Sequence, residues 1–524
     1  MLTSSLVSVR AVPPRPRLDR GVLDARDVLA QRVLDSINAE GAIIGECKSR
    51  ALESALALCL LQRLDMHPAA RERIVGYLQG LWFQDDLDPF HHALTASVLG
   101  WDARITPTEA IDNYLEGFEH FSSDRKRILF TVVLGAVSGL DLDLALTERD
   151  FAAKPPHQRW VTVLMRALKV LYFVGRGQPE HVSDEDVNTL LSTLEFDASG
   201  TWEQYLLGHL LTLLALNEIP AHAAIVRRCA NQLLGHQRDD GGFSFITRME
   251  IFATATAGLG LVGAGHDGAA LYPAGDFLLR HQQPDGGWGY AQGVRQTDVD
   301  DTAYCVEFLR ALDPHRYAPA LARAEQYMLS LQNPDGGFPT FTRGASSEVA
   351  MTAAVLNALA PSKDRYPTVF RRGIEYIIAS QNSDGTFERS WSCAHSNAIF
   401  RSLLAMQALR DGMSETDRTA AERRAMSYLR LSQNENGGWG HVIGDESDPI
   451  SSAYALITLS HFDAEFTIGR GVDYLVDQQQ CNGGYLSRPD GSGPRPIAYD
   501  VPVLADHFAL IALDHIVSTH PRAM

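Results

Sequence analysis

A chain of 524 residues with 45% hydrophobic and 21% charged residues is long enough for two or three domains with ordinary cores, which excludes a disordered, collagenous or small disulfide-stapled protein. Its 46 Lys and Arg against 64 Asp and Glu leave a net charge of -18, the wrong field for coating nucleic acid, so an anionic ligand would need locally clustered cations or a metal ion. Six scattered cysteines without a CxxC pair read as free thiols of a reducing cytosol, and neither an Arg- and Pro-bearing start nor the short, Gly-rich run Phe252 to Gly265 supplies an export signal or a membrane span of roughly 20 apolar residues.

In chain order, residues 1–21 read as a flexible segment. Residues 22–225 read as a helical domain, with apolar patterns at Arg50 to Leu64 and Arg159 to Val174. It also holds two worn copies, NAEGAI from Asn38 and DASGTW from Asp197, of a phrase that dominates the C-terminal half. There the phrase recurs six times: QRDDGGF at Gln237, QQPDGGW at Gln282, QNPDGGF at Gln332, QNSDGTF at Gln381, QNENGGW at Gln433 and QQCNGGY at Gln479. The spacings are 45, 50, 49, 52 and 46 residues. An amphipathic helix precedes each copy, as in Ala322 to Gln332, where Ala324, Tyr327, Met328 and Leu331 share one face. The Gly-rich phrase stops it, and a more apolar helix comes next. One amphipathic and one apolar helix per unit predict an outer and an inner ring. The fold class is therefore all-α, with six pairs closing an (α/α)6 barrel over residues 226–524 and a second barrel on the same plan in the N-terminal half.

Every inner helix starts just after its Gly loop, so all six N-termini open onto one end. Polar residues collect there: Glu250, Asp298, Asp300, Asp301, Glu348, His395, Asn397, Asp448 and Asp500. A single Asp at a helix start is an ordinary cap, but three carboxylates within Asp298 to Asp301 exceed what capping requires. Like charges and burial raise the pKa of at least one of them. A proton kept in this way in an apolar cavity suits protonation of a weak base such as an alkene. Taken alone, the cluster would read first as a divalent-metal site, with a solvated cap as the other reading.

Together, the run DVDDTA from Asp298 and the ladder of Gly phrases resemble the class II terpene cyclases, the group that includes squalene-hopene cyclases and bacterial class II diterpene and drimenyl diphosphate synthases. The resemblance covers about Arg227 to Ser518. It implies protonation-initiated cyclisation of a linear prenyl diphosphate, with Asp300 as general acid and Asp298 and Asp301 holding it protonated and aimed. Tyr304, Phe338, Trp391 and Tyr454 would guide the cation by cation-π attraction, whereas Trp288 and Trp439 belong to the phrases and pack between repeats. The helix from Ser347 offers no His of the kind that braces the acid in squalene cyclases, and no membrane-dipping apolar helix is visible, so a soluble prenyl diphosphate is expected. The diphosphate would be retained, with Mg2+ beside it. Lys48, Arg50, Arg295 and Arg343 are the candidates for phosphate, and Glu46 for the metal. The N-terminal half lacks the acidic motifs of many diterpene cyclases, which leaves farnesyl (C15) and geranylgeranyl (C20) diphosphate both open. His395 with Asn397, two repeats beyond the acid, is the candidate for accepting the final proton.

Three other readings compete. A class I site would need DDxxD, for which Asp85, Asp86 and Asp88 are the nearest run; Asp88 before Pro89 reads better as a helix cap. A zinc prenyltransferase β subunit would need converging Asp, Cys and His, and only Cys305 with Asp298, or Asp506 with His507, come near. A non-catalytic helical scaffold has no reason to bury an acidic triplet.

Overall fold

The recurring phrase is a set of hydrogen bonds. In all six copies the Gln side-chain Nε2 donates to the carbonyl four residues on, at 2.7 to 3.1 Å. In at least five of them it also reaches a carbonyl of a neighbouring outer helix: Ala70, Ala320, Val369, Ala421 and Ala25 for Gln237, Gln282, Gln332, Gln381 and Gln479. The Asp or Asn of the phrase accepts from the backbone N–H two residues later, as Asp335 does from Gly337 at 2.9 Å, which fixes the turn. The Gly between them must be Gly. At Gly336 φ is +92°, and a Cβ there would lie 2.5 Å from the Arg372 carbonyl oxygen.

The computed structural model describes residues 20–84, 87–102, 105–116, 118, 120–140, 142, 145–152, 158–194, 201–408, 415–462 and 465–519. Six inner helices, Glu250–Gly263, Val299–Leu312, Val349–Leu359, His395–Ala408, Pro449–Phe462 and Val503–Thr519, each pack on the next, and the sixth packs on the first. Apolar residues face both neighbours and the outer ring, so these helices are buried almost all round. Five outer helices alternate with them in sequence: Gly268–Arg280, Ala318–Ser330, Pro367–Ala379, Glu415–Leu431 and Glu465–Asp477.

The sixth outer helix is not the expected one. It is Arg20–Asp35, which packs on the sixth inner helix and on Glu465–Asp477 and supplies the Ala25 carbonyl to Gln479. NAEGAI is accordingly a functioning copy of the phrase: Gly41, at φ +89°, abuts the Pro273 carbonyl in the first outer helix. Of DASGTW, residues 197–200 lie outside the described residues. The helix Ala223–Leu233, which precedes the first phrase, belongs instead to the N-terminal half, where Arg227 donates to the Leu64 carbonyl at 2.8 Å.

That half is itself a ring. Ala51–Arg63, Pro89–Leu99, Ser123–Ser138, Arg159–Gly175 and Leu206–Asn217 pack in succession, and the last returns to the first. From Arg20–Asp35 in the outer layer of one barrel, the chain therefore goes on to build the other and comes back. The two crossing segments run antiparallel side by side, Ser49–Arg50 pairing with Phe243–Ser244 and Glu46 bridging Arg248. Gly491–Ser492 with Ala498–Tyr499 is the other two-stranded ladder among the described residues. No described helix is long and apolar enough to cross a membrane.

Candidate active site

The open end of the C-terminal barrel holds a cavity of about 110 Å3. Its walls are aromatic: Phe252 and Tyr290 from the first two units, Tyr304 from the second inner helix, Phe341 and Trp391 from loops, Tyr454 and Phe508 from the fifth and sixth inner helices. Tyr304 meets Phe252 edge to face at 5.1 Å, and Tyr454 stacks on Phe400 at 5.2 Å. These contacts lock the rings with their remaining faces free for the cavity.

All three carboxylates of the cluster line it. Asp298 caps the second inner helix, accepting the Asp301 N–H at 2.8 Å. Both are buried and act as a pair. Burial and the charge of Asp298 hold the Asp301 pKa well above the ordinary value, whereas Asp298, also raised by burial, is partly relieved by accepting from Asp301. The pair thus holds a proton more readily than two free aspartates would. Asp300 is half-buried and turned toward the cavity. Its pKa is raised to about 7, first by burial, then by Asp298, Glu307 and Glu348, against the opposing charge of Arg401. Arg401 lies buried on the fourth inner helix, bidentate to Glu307 at 2.9 and 3.1 Å and 4.4 Å from the Tyr304 ring centre. The balance leaves Asp300 with a proton near neutral pH and with a cation to receive the charge once that proton is given up.

A second, larger chamber adjoins the first, and Trp160, Phe245, Thr340, Phe341 and Trp391 line both. It lies between the barrels and is basic: Arg125, Lys126, Arg149 and Arg495 face it, with Asp124, Asp150 and Glu348. Arg495 is bound to Glu348 at 2.8 Å and to His120 at 3.0 Å. Arg125, Lys126 and Arg149 have no carboxylate within ion-pair distance among the described residues. Burial and the charges of Arg495 and Arg125 depress the Lys126 pKa well below that of a free lysine. Arg125 and Lys126 also occupy the first turn of the helix Ser123–Ser138, where the helix dipole disfavours cations. With Arg495 taken by Glu348, three cations face two carboxylates there, an excess of positive charge that suits an anion.

Of the residues named from sequence, Asp298, Asp300, Asp301, Tyr304, Trp391, Asn397 and Tyr454 line the first cavity. The others lie elsewhere. Phe338 is packed wholly in the core, and Phe341, three residues on, takes its place. His395 turns outward to the Tyr428 hydroxyl, 3.1 Å away on an outer helix, so it is no acceptor for a proton in the cavity. Lys48 pairs with Asp500 at 3.0 Å. Arg50 is clamped by Glu53 and the Gly493 carbonyl and lies over Phe245, bracing the crossing segments. Glu46 is 3.4 Å from Arg238, outside both chambers, and so is no metal ligand there. Arg295 and Arg343 are exposed and line neither chamber. Asp88 caps the helix Pro89–Leu99, while Asp85 and Asp86 lie outside the described residues. Asp506 is tied to Arg32, and His507 to Thr256; no group of three His, Cys, Asp or Glu able to hold a metal occurs among the described residues. The six cysteines are free thiols.

Sequence reasoning missed Arg401 and the basic chamber, though both left a trace. Arg401 is the lone charge inside the apolar run Ala398 to Leu404, and DRKR from Asp124 puts three cations at a helix start. Tyr290 and Asp490 stand in loops and Tyr499 in a two-residue strand, none with a periodicity to mark it.

Comparison with known proteins agrees with this architecture. Residues 344–516 match the squalene-hopene cyclase C-terminal domain and residues 186–366 the prenyltransferase alpha-alpha toroid domain. The chain is 42% identical to drimenyl diphosphate synthase of Streptomyces showdoensis, over 95% of both chains. It is also 42% identical to drimenyl diphosphate synthase of Streptantibioticus cattleyicolor, over 100% of this chain and 99% of that one. The fold of ent-copalyl diphosphate synthase from Streptomyces platensis superposes with a TM-score of 0.55 at 18% identity, covering 95% of this chain and 100% of that one. A ring-closed helical barrel with a proton-holding acid in an aromatic cavity, and two relatives alike along their whole length, place the chain among those class II terpene cyclases that cyclise prenyl diphosphates.

Proposed function

We propose that the chain converts farnesyl diphosphate to a bicyclic, drimenyl-type diphosphate. The observation that carries this reading is the adjacency of the two chambers: an acid with a raised pKa in the aromatic one, unpaired cations in the other. A linear prenyl diphosphate laid across both puts its terminal alkene at Asp300 and its diphosphate at Arg125, Lys126 and Arg149. The C15 substrate is favoured over C20 by the two relatives, both drimenyl diphosphate synthases.

Asp300 gives its proton to the terminal double bond, whose electron pair forms the new C–H bond and leaves a tertiary cation. Asp298 caps the helix start and so fixes where Asp300 points. Asp298 and Asp301, both raised by burial, share a proton and spare the site a further negative charge. Successive alkene π electrons close the two rings, while Tyr304, Tyr290, Phe341, Trp391 and Phe508 present ring faces to the moving charge. The diphosphate stays on the product, held by the cations at the far end of the molecule from the acid. Mg2+ would neutralise part of its charge; Asp124 and Asp150, carboxylates on the chamber wall, would hold the ion together with phosphate oxygens, as such ions are commonly held by one or two carboxylates. Six free thiols support a cytoplasmic setting.

Incubation with Mg2+ and, separately, farnesyl and geranylgeranyl diphosphate tests the reading. The expected result is a bicyclic C15 product seen only after phosphatase treatment. Release of inorganic diphosphate in step with turnover, or a preference for the C20 substrate, would overturn the mechanism or the substrate respectively.

A further inference from the structure

Resting on the cyclase reading, we propose that Asp490 is the general base that ends the reaction. Asp490 lies in the loop after the sixth Gly phrase and lines the aromatic cavity. It is held over the fourth and fifth inner helices. Its Oδ1 accepts from Ser392 Oγ at 2.7 Å, its Oδ2 from the Tyr454 hydroxyl at 3.0 Å, and its backbone carbonyl from Cys393 N at 2.7 Å. In a ring of six, the fifth helix stands opposite the second, which carries Asp300. Both carboxylates act electrostatically on Tyr304 and on Tyr499, so one cavity lies between them.

The environment suits a base. Two hydroxyls hold the carboxylate, one on each oxygen, and no guanidinium or ammonium among the described residues binds it, so each oxygen keeps a lone pair. Burial lifts its pKa above that of a free aspartate, with the charge of His441 opposing. Tyr454 is itself fixed by Asn397 and by stacking on Phe400. The titratable groups facing Asp490 are His441, Asp448, Cys393, Tyr304, Tyr454 and Tyr499. At the end of cyclisation, a C–H bond next to the cationic carbon breaks. Its electron pair becomes the alkene, and the proton passes to Asp490. Asp300 has lost one proton and Asp490 gained one, so the cycle closes by exchange with solvent.

The test measures termination apart from initiation, as the ratio of alkene to water-trapped alcohol after phosphatase treatment. In Asp490→Asn the alkene share should fall at least tenfold, and Asp490→Glu should restore alkene. The same alkene in wild-type proportion from Asp490→Asn overturns the proposal, as does a folded Asp490→Glu that consumes no substrate. On the wild-type protein, should the variants not fold, the alkene share should drop at acid pH as the base is protonated; a constant ratio down to the pH at which the protein unfolds overturns the proposal. An active Asp300→Asn protein would instead sink the cyclase mechanism, whatever Asp490 does.

Discussion

Replacing Asp300 by asparagine removes one proton and keeps the shape, so it should abolish turnover and stabilise the fold at the same time. The Asp300 pKa is raised from 3.8 to about 7, and at 1.36 kcal/mol per unit the ionised side chain costs the folded state at most roughly 4 kcal/mol. Water in the cavity screens part of this, leaving about 2 kcal/mol. With an unfolding entropy near 2 cal/mol/K per residue, that is a rise in Tm of about 2 °C for a chain of this length. The gain must vary with pH. Below the free-aspartate pKa the wild-type acid is neutral in both folded and unfolded states, and the two proteins should melt together. Between about pH 4 and pH 7 the wild type loses stability as the unfolded state ionises more readily, and above the folded pKa the gap is complete. Paired thermal melts at several pH values, alongside product assays, read both effects. A variant that keeps more than about 1% of turnover, or that melts below the wild type at high pH, refutes the reasoning.

Lys126→Ala should raise KM for the diphosphate about tenfold with little change in the ratio of products, since a charge-assisted contact is worth roughly 1.5 kcal/mol; steady-state kinetics with and without Mg2+ check this. Gly336→Ala forces a Cβ to within 2.5 Å of the Arg372 carbonyl at a φ of +92°, and should destabilise the barrel by about 2 kcal/mol or more, measurable by denaturant unfolding.

The helical class, the two-ring plan and the acid were legible because each rests on a local pattern. Periodicity of 3.6 marks an inner or outer helix wherever it falls, and DVDD is contiguous. What resisted reading depended on which segments meet. Nothing local to Arg20–Asp35 tells which barrel it joins; that is decided by Gln479, more than four hundred residues away. Phe338 and Phe341 differ only in which side of a turn they leave. Arg50 and Lys48 have the right charge for a diphosphate, but Glu53 and Asp500 already satisfy them. Arg125, Lys126 and Arg149 have no carboxylate within ion-pair distance among the described residues, a matter of tertiary contact that no local pattern reveals.

The exchange of segments between the barrels also bears on how the chain acquires its structure. On the ribosome, the helix Arg20–Asp35 emerges long before Val503–Thr519, the helix it rests on, and stays unpaired while some 450 residues are made. The N-terminal ring, by contrast, can close once residue 250 has left the exit tunnel. Assembly therefore has an order: one ring forms early, and the reactive one locks only when Arg20–Asp35 meets Val503–Thr519. Loop closure over such a span is slow, which leaves the apolar inner helices without their partner for longest. An acid able to protonate an alkene is thus enclosed only in the finished molecule.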